Sequence, residues 1–275
     1  MMRLGTSSGL AALFTGLAFL TFALPSAAQP AGASSPSTSS SPRRSSAAFT
    51  GTGDLRDVRP FEAWMTDATW SVGIDVEPVV EFSNLDNASG YFLGAQGAFW
   101  VHDGLEVGGR LGYTGIDPDG VDGFSGLSGL SLYGRYRLDM GADSPDVGIG
   151  VLTRLPVGAE EVGGDRFDFL AFGAFRYQAN EDVTFLGHAG IDSRDTGVDR
   201  DLGIALGGGA ILPMTEELAA ILELDLTTAI DYAVVVAGVD YELPPGGHLR
   251  AGLALGLDDA APDAELRLGF SIPVY

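Results

Sequence analysis

The sequence predicts an all-β protein, a closed antiparallel transmembrane β-barrel of about 12 strands (10–14). Three observations lead there. Seven arginines, Arg110, Arg135, Arg137, Arg154, Arg176, Arg250 and Arg267, lie inside stretches that alternate apolar and polar residues, each on the side opposite the apolar ones. Alternation with period two is a strand signal, because successive side chains point to opposite faces. After the N-terminal apolar run, no stretch offers the roughly 18 uninterrupted apolar residues that a spanning helix needs. Strands in lipid must satisfy their backbone polar groups among themselves, which requires closure without edges.

The N-terminus begins Met1-Met2-Arg3, continues through an apolar run over 10–24 and leaves through Pro25-Ser26-Ala27-Ala28-Gln29, the pattern of a secretory signal peptide over residues 1–28. Residues 29–50 are rich in Ser, Pro, Ala and Gly without periodicity and read as a flexible linker. Residues 51–68 read as a periplasmic or plug segment. There Pro60 precedes Phe61-Glu62-Ala63-Trp64-Met65, which suits either one or two helical turns at the barrel mouth or an extension of the first strand. The barrel itself takes residues 69–275. With no cysteine, the chain has neither a disulfide framework nor a thiol for lipid attachment.

Twelve alternating segments follow in order. The first, 69–82, puts Trp70, Val72 and Ile74 on its apolar side and Asp75, Glu77 and Glu81 opposite. Segment 90–101 turns Tyr91 outward and Gln96 inward, and 104–114 sets Leu105, Val107, Leu111 and Tyr113 against Glu106 and Arg110. In 127–138, Leu130, Leu132 and Tyr136 oppose Arg135 and Arg137; in 146–155 the odd positions are mostly apolar and Arg154 stands opposite. Segment 166–178 turns Phe167, Phe169 and Tyr177 outward against Asp168 and Arg176, and 182–192 holds His188 on the lumen side. Segment 201–212 alternates Leu202 and Leu206 with the small residues Gly203, Ala205, Gly207 and Gly209. In 217–227, Leu222 and Leu224 oppose Glu223 and Asp225, and in 231–243, Tyr241 opposes Asp240 and Glu242. The last two are 247–257, with Leu253 and Leu255 against Arg250, and 264–274, with Leu266, Leu268, Phe270 and Ile272 against Glu265 and Arg267. Most segments are close to the roughly 9–11 residues with which a tilted strand crosses a bilayer.

The connections support the same count. Even-numbered links, at 102–103, 139–145, 179–181, 213–216 and 244–246, are compact, whereas odd ones, at 83–89, 115–126, 156–165, 193–200 and 258–263, are mostly longer; the ninth, at 228–230, is short. Membrane barrels have short periplasmic turns and longer outer loops, and an even strand count leaves both chain ends on one side. Tyr275 suits the terminal aromatic that the outer-membrane assembly machinery recognises, although it is out of register with Val274 and the apolar parity; Pro273 can bend the strand end and restore it.

The polar parity forms a charged lumen wall, and its selectivity lining is expected to be Arg110, Arg135, Arg137, Arg176, Arg250, Glu106, Asp240, Glu242, Asp75, Glu77, Glu223 and Asp225. A dry core would charge several kcal/mol for each imperfectly paired ion, whereas a solvated bore shares that load with water. With the N-terminus in the periplasm, Glu77, Glu81, Asp168, Asp192, Asp225, Asp258 and Glu265 form an outer acidic vestibule. Arg135, Arg137, Arg176 and Arg250 then crowd the periplasmic half near Glu106, Asp240 and Glu242. Such a field favours cationic or neutral solutes and orients a zwitterion, and the same pairs can also brace the wall. Twelve strands ~4.8 Å apart, tilted ~40°, give a backbone cylinder roughly 24 Å across and a bore of roughly 10 Å at most. The small residues of 201–212 either open that bore or accommodate the N-terminal segment as a plug.

The inventory for chemistry is thin, and no catalytic residue, cofactor or metal site is assigned. Of three histidines, His102 and His248 flank periplasmic turns, and Ser131 is several strands away from His188, so a nucleophile–base pair would have to cross the bore. Asp117-Pro118-Asp119-Gly120-Val121-Asp122 lacks the spacing and terminal glutamate of a calcium loop and reads as a solvated acidic turn. Gly207-Gly208-Gly209 lies within a strand, not at a phosphate-binding strand–helix junction. A net charge of −22, from 37 acidic residues and 15 basic ones, all arginine, argues against nucleic acid as a partner.

Two stretches, Phe175-Arg-Tyr-Gln-Ala-Asn-Glu-Asp-Val-Thr-Phe-Leu-Gly and Gly207-Gly-Gly-Ala-Ile-Leu-Pro-Met-Thr-Glu-Glu-Leu-Ala-Ala-Ile-Leu, each read as strand, tight polar turn and strand. On this pattern, residues 69–275 resemble the bacterial outer-membrane β-barrel channel and transporter superfamily, and more loosely the outer-membrane family associated with phenol-degradation pathways. The expectation is an outer-membrane channel for passive passage of small solutes, surrounded by outer-membrane lipid. The alternative is a non-conducting barrel that binds partners or serves the envelope structurally.

Overall fold

The computed structural model describes residues 58–70, 73–102, 104–141, 144–244 and 246–274. The expected signal peptide and linker, together with residues 51–57, Val72, Asp103 and Tyr275, lie outside the described residues. All twelve expected segments are strands: β1 Ile74–Leu85, β2 Ala88–His102, β3 Leu105–Pro118, β4 Phe124–Leu138, β5 Asp146–Leu155, β6 Asp168–Asn180, β7 Val183–Asp195, β8 Arg200–Pro213, β9 Leu218–Thr227, β10 Tyr232–Leu243, β11 Gly247–Gly256 and β12 Ala264–Val274. Each pairs with its sequence neighbour, and β1 pairs antiparallel with β12 from Ile74↔Val274 to Asn84↔Ala264, closing the barrel.

Period-two alternation sets the two faces. Outward positions such as Val107, Leu111, Leu132, Leu206, Leu222, Leu253, Leu268 and Ile272 form an exposed apolar belt. The exposed tyrosines sit toward its two rims, Tyr91 and Tyr113 near the end carrying the odd-numbered links, Tyr136, Tyr177 and Tyr241 near the other. Inward positions hold Glu106, Arg135, Arg176, Glu223, Asp240 and Arg250, all buried. No helix among the described residues is long and apolar enough to cross a membrane.

Three expectations are corrected. β1 starts at Ile74 rather than residue 69, and Trp70 lies inside rather than on the outer wall: its ring approaches Gly148 on β5 and lies beneath the Arg135 guanidinium, 5.1 Å from the ring centroid. The later start also moves Glu77 out of the outer half. It sits early on β1, where Arg250 at the start of β11 donates to both its oxygens at 2.9 and 3.0 Å. Finally, the first and third links are shorter than the expected 83–89 and 115–126. Cross-strand pairing continues through Ser83↔Gly90 and Leu85↔Ala88 to a tight Asp86–Asn87 turn, with Asn87 at φ 63, a left-handed conformation that asparagine tolerates. β3 likewise runs to Pro118, so the extended connection is the one between β5 and β6, which holds a 3₁₀ turn at Glu160–Val162.

The chain segment Val58–Trp70 occupies the barrel interior and makes one 3₁₀ turn, Glu62–Met65. Its apolar side chains meet inward apolar patches that simple alternation does not anticipate. Val58 and Ala63 pack with Leu186, Ile211 and Ile221, Ala68 with Leu170, Phe172 and Ala174, and Trp64 with Ala98 and Tyr133.

The β1–β12 seam is directly testable because the wild-type chain has no cysteine. Val80 and Leu268 are Cα partners across the seam, and paired antiparallel residues lie roughly 4.5–5.5 Å apart, within disulfide range. The double variant Val80→Cys/Leu268→Cys is expected to oxidise to an intramolecular disulfide and migrate faster on non-reducing gels. Two free thiols in the folded protein would show that the seam is open.

Candidate functional site

The site is the barrel interior, and it has two storeys. At the end carrying the even-numbered links, wall arginines grip the inner segment. Arg176 on β6 donates to Asp67 Oδ2 at 2.9 Å, to the Thr69 hydroxyl, and to the Val58 carbonyl at 2.9 Å. Arg135 on β4 donates to the Asp67 and Thr69 carbonyls and to Glu106 on β3 at 2.6 Å. Arg250 on β11 adds the Arg59 carbonyl to its bonds with Glu77, lies 3.2 Å from Asp240, and stacks over the Phe61 ring at 4.4 Å. A planar guanidinium with five fixed donors suits this use, because it binds a carboxylate and a neighbouring carbonyl at once.

The segment answers with its own charges. Arg59 reaches Asp75 at 3.2 Å and Glu106 at 3.3 Å and lies over the Trp64 ring. Burial alone would lower its pKa, but Glu106, Tyr133, Asp75 and Asp67 outweigh that and raise it above the ordinary value. Glu223 on β9 accepts the backbone N–H groups of Phe61, of Glu62 at 2.9 Å and of Ala63 at 3.3 Å, so one carboxylate caps the start of the 3₁₀ turn. Glu62 accepts from Arg267 on β12 and from the Tyr232 hydroxyl at 2.7 Å. Burial pushes its pKa up, and Arg267 together with the tyrosine bond pulls it below the ordinary 4.5. At Gly238 and Gly252 the Phe61 ring stands where a Cβ would be, so these glycines make the seat into which the segment fits.

Above the segment, toward the end with the odd-numbered links, lies a cavity of about 410 Å³. Phe61, Glu62 and Met65 contribute to its lining from the inner segment, and Arg110, Ser131, Arg154, Asp168, Asp192 and Arg194 from the strands. Asp192 is fully buried, held by Arg194 at 2.8 Å and by the Thr227 hydroxyl at 2.8 Å.

Among the residues expected to line the lumen, Arg135, Arg176, Arg250, Glu106, Asp75, Glu77 and Glu223 converge on the inner segment, while Asp240 holds Arg250 and His248. Arg110 instead lines the cavity and pairs with Glu81 at 2.5 Å. Asp225 is buried 3.5 Å from His188, whose Nδ1 is 3.3 Å from the Thr66 hydroxyl. Arg137 pairs with Asp146 at the even-link end, about one third exposed, and Glu242 at the end of β10 is half-buried. The sequence reading missed Arg59, Glu62, Trp64, Asp67 and Thr69, because no periodicity marks an irregular segment. Among the described residues, no group of three or more His, Asp or Glu side chains is arranged to hold a metal ion.

Fold and site together define a closed twelve-stranded barrel with an apolar outer belt and an internally bound N-terminal segment. Solved structures share the barrel fold. An outer membrane channel from Pseudomonas putida F1 superposes with a TM-score of 0.60 at 13% identity, covering 78% of this chain and 98% of that one. The NanC porin gives 0.54 at 12% identity over 74% and 100%, and the KdgM porin 0.53 at 8% over 73% and 99%. No family model matches the chain, and no curated protein matches it significantly.

Replacing Glu223 by Ala leaves three backbone N–H groups of the segment without their acceptor, at about 1–3 kcal/mol for each one that stays buried. The expected result is an intact barrel with faster amide exchange at Phe61–Ala63; unchanged protection would show that Glu223 does not hold the segment. Because the Glu62 pKa is lowered in the folded state, its ion pair stabilises the docked segment above pH 4.5 and is lost as pH falls through the lower folded value. The part of this protection that depends on Glu62 should therefore hold above pH 4.5, decline in stronger acid, and be reduced in Glu62→Gln.

Proposed function

We propose that this chain is an outer-membrane channel or transporter for passive passage of small solutes, exported by the signal peptide over residues 1–28. The observation that carries the reading is the inverted distribution of polarity. Leu, Val, Ile and Phe side chains form an exposed belt around the outside, while arginines and carboxylates are buried within. An exposed apolar surface of that extent needs a non-aqueous surrounding, and tyrosines toward both rims suit the two interfaces of a bilayer. The barrels that share the fold include an outer membrane channel and two porins. We carry that role to this chain as a proposal.

On this reading the segment Val58–Trp70 is the constriction. The lumen residues divide between holding it, as Arg135, Arg176, Arg250, Glu106, Asp75, Glu77 and Glu223 do, and facing solute, as Arg110 does in the cavity. Arg137 and Glu242, at the other mouth, complete the proposed selectivity lining with Asp240 and Asp225. The occupied interior also favours one specific rival, a barrel that binds partners without conducting.

Planar-bilayer recordings separate the two. Refolded protein should conduct weakly, and deletion of residues 59–68 should raise single-channel conductance severalfold. A folded, heat-modifiable barrel that stays silent with and without the segment would overturn the channel reading in favour of the rival.

A further inference from the structure

Resting on that reading and deepening it, we infer that the cavity above the inner segment is an oxyanion-binding site. It takes the carboxylate head of a small organic acid whose apolar body lies on the cavity floor. The head would lie on the Arg110–Ser131–Arg154 row. These three residues are direct Cα partners on β3, β4 and β5, so two guanidinium-bearing positions flank one hydroxyl on the same inward face. Adjacent strands lie about 4.8 Å apart, which places the two arginine Cα atoms about 10 Å apart, a span that two long side chains close around a single carboxylate.

Two local features position the guanidinium groups without using all of their donors, although Arg110 gives one terminal nitrogen to Glu81 at 2.5 Å. At Ser128–Gly129 the β3–β4 register shifts, with Gly129 at φ 84, and the Ser128 carbonyl accepts from Arg154 Nε at 3.2 Å and from its terminal nitrogen at 2.7 Å. A bulge of this kind re-aims groups beside a site. Arg154 is left 3.8 Å from Asp168, beyond hydrogen-bond length, so its remaining N–H groups face the cavity. On β3, Arg110 lies over the Phe92 ring at 4.1 Å, and that ring itself lies against Gly94 and Gly112, where a Cβ would collide with it. The side chains of Arg110 and Arg154 are 25% and 29% exposed, against 1% for Arg135 and 3% for Arg250, so these two arginines can meet a solute while the segment is in place.

The rest of the cavity selects the body of the ligand. Phe61 and Met65 from the segment, with Leu152 and Leu170 from the wall, give the lining an apolar share. The volume of about 410 Å³ falls in the roughly 300–1,000 Å³ range of small-molecule sites, which commonly combine an apolar lining with a few placed polar groups. The carboxylates around the cavity all face arginines: Asp192 is held by Arg194 and Thr227, Glu62 by Arg267 and Tyr232, Glu81 by Arg110, and Asp168 lies 3.8 and 3.6 Å from Arg154 and Arg194.

The test uses the refolded full chain in nanodiscs, with hexanoate, hexan-1-ol, hexylamine and 6-aminohexanoate as probes in equilibrium dialysis. Hexanoate should bind at least tenfold more tightly than the other three. Arg110→Gln and Arg154→Gln should each lose tenfold or more, and Arg200→Gln, 45% exposed and outside the cavity lining, should stay within twofold. If either glutamine variant fails to migrate as a folded, heat-modifiable barrel, Ser131→Asp, which sets a negative charge between the arginines, should abolish hexanoate binding instead. Equal binding of hexan-1-ol, tighter binding of hexylamine or 6-aminohexanoate, or an unaffected Arg154→Gln would overturn the inference. Hexanoate binding without conductance would sink the channel reading alone, and conductance without hexanoate binding would sink this inference alone.

Discussion

A guanidinium buried in a barrel wall must find acceptors, and regularly paired strands supply few from their backbones, whose carbonyls are spent on the ladder between neighbours. Carboxylates on adjacent strands meet part of the demand, as Glu106 does for Arg135 and Glu77 for Arg250. The remainder comes from the carbonyls of Val58, Arg59, Asp67 and Thr69, which point sideways because the segment has little regular structure. Its irregularity is therefore a condition of its fit. Removing one partner from such a buried pair leaves a charge uncompensated, at about 3–5 kcal/mol, so wall and segment depend on each other.

Charge alone would hold a segment loosely, since desolvation cancels much of what ion pairing gains. The inward apolar patches of β6, β7, β8 and β9 supply the non-directional part. Leu170 and Phe172 receive Ala68, and Leu186, Ile211 and Ile221 receive Val58 and Ala63. Burial there contributes roughly 25 cal/mol per Å² of apolar surface, while the arginines and Glu223 fix the register in which it is realised. Phe61 joins both functions, stacked under Arg250 and seated against Gly238 and Gly252. The glycines in strands β10 and β11 thus read as room for a ring rather than as gaps in a sheet.

Strand positions were legible in the sequence because the wall obeys period two; β5 and β12 run over the expected residues, and every other strand except β1 differs by only a few residues at its ends. Loop lengths were less legible, since pairing runs on through small and polar residues such as Ser83, Asn84 and Ser89. The interior was legible in its charges and not in its contacts. Asp67 meets Arg176 across 109 positions of chain, and Glu62 meets Arg267 across 205, distances over which no local pattern speaks. Trp70 was misplaced because it continues the parity of Ile74, although the strand has not yet begun. On β6 both faces are apolar, with Phe169 and Phe175 outside and Leu170 and Phe172 inside, so the alternation there marks shape without marking which side is wet.

Pairing geometry, rather than the count of charges, decides what field a solute meets inside. Arg59, Arg135, Arg176 and Arg250 are each closed off by carboxylates and carbonyls within a few ångströms, and a compensated, buried charge projects little field beyond its partners. A charged lumen in the compositional sense is therefore a largely cancelled one where the segment lies. The exception is the upper storey, where Arg110 and Arg154 retain exposed donors beside an apolar floor. An acidic vestibule would draw on Asp168 and Asp192, which both line the cavity; Asp192 is fully buried and held by Arg194, and Asp168 accepts the Asp195 backbone N–H. On the inference drawn above, the cavity's preference follows the donors that Arg110 and Arg154 leave unused rather than the net charge of −22.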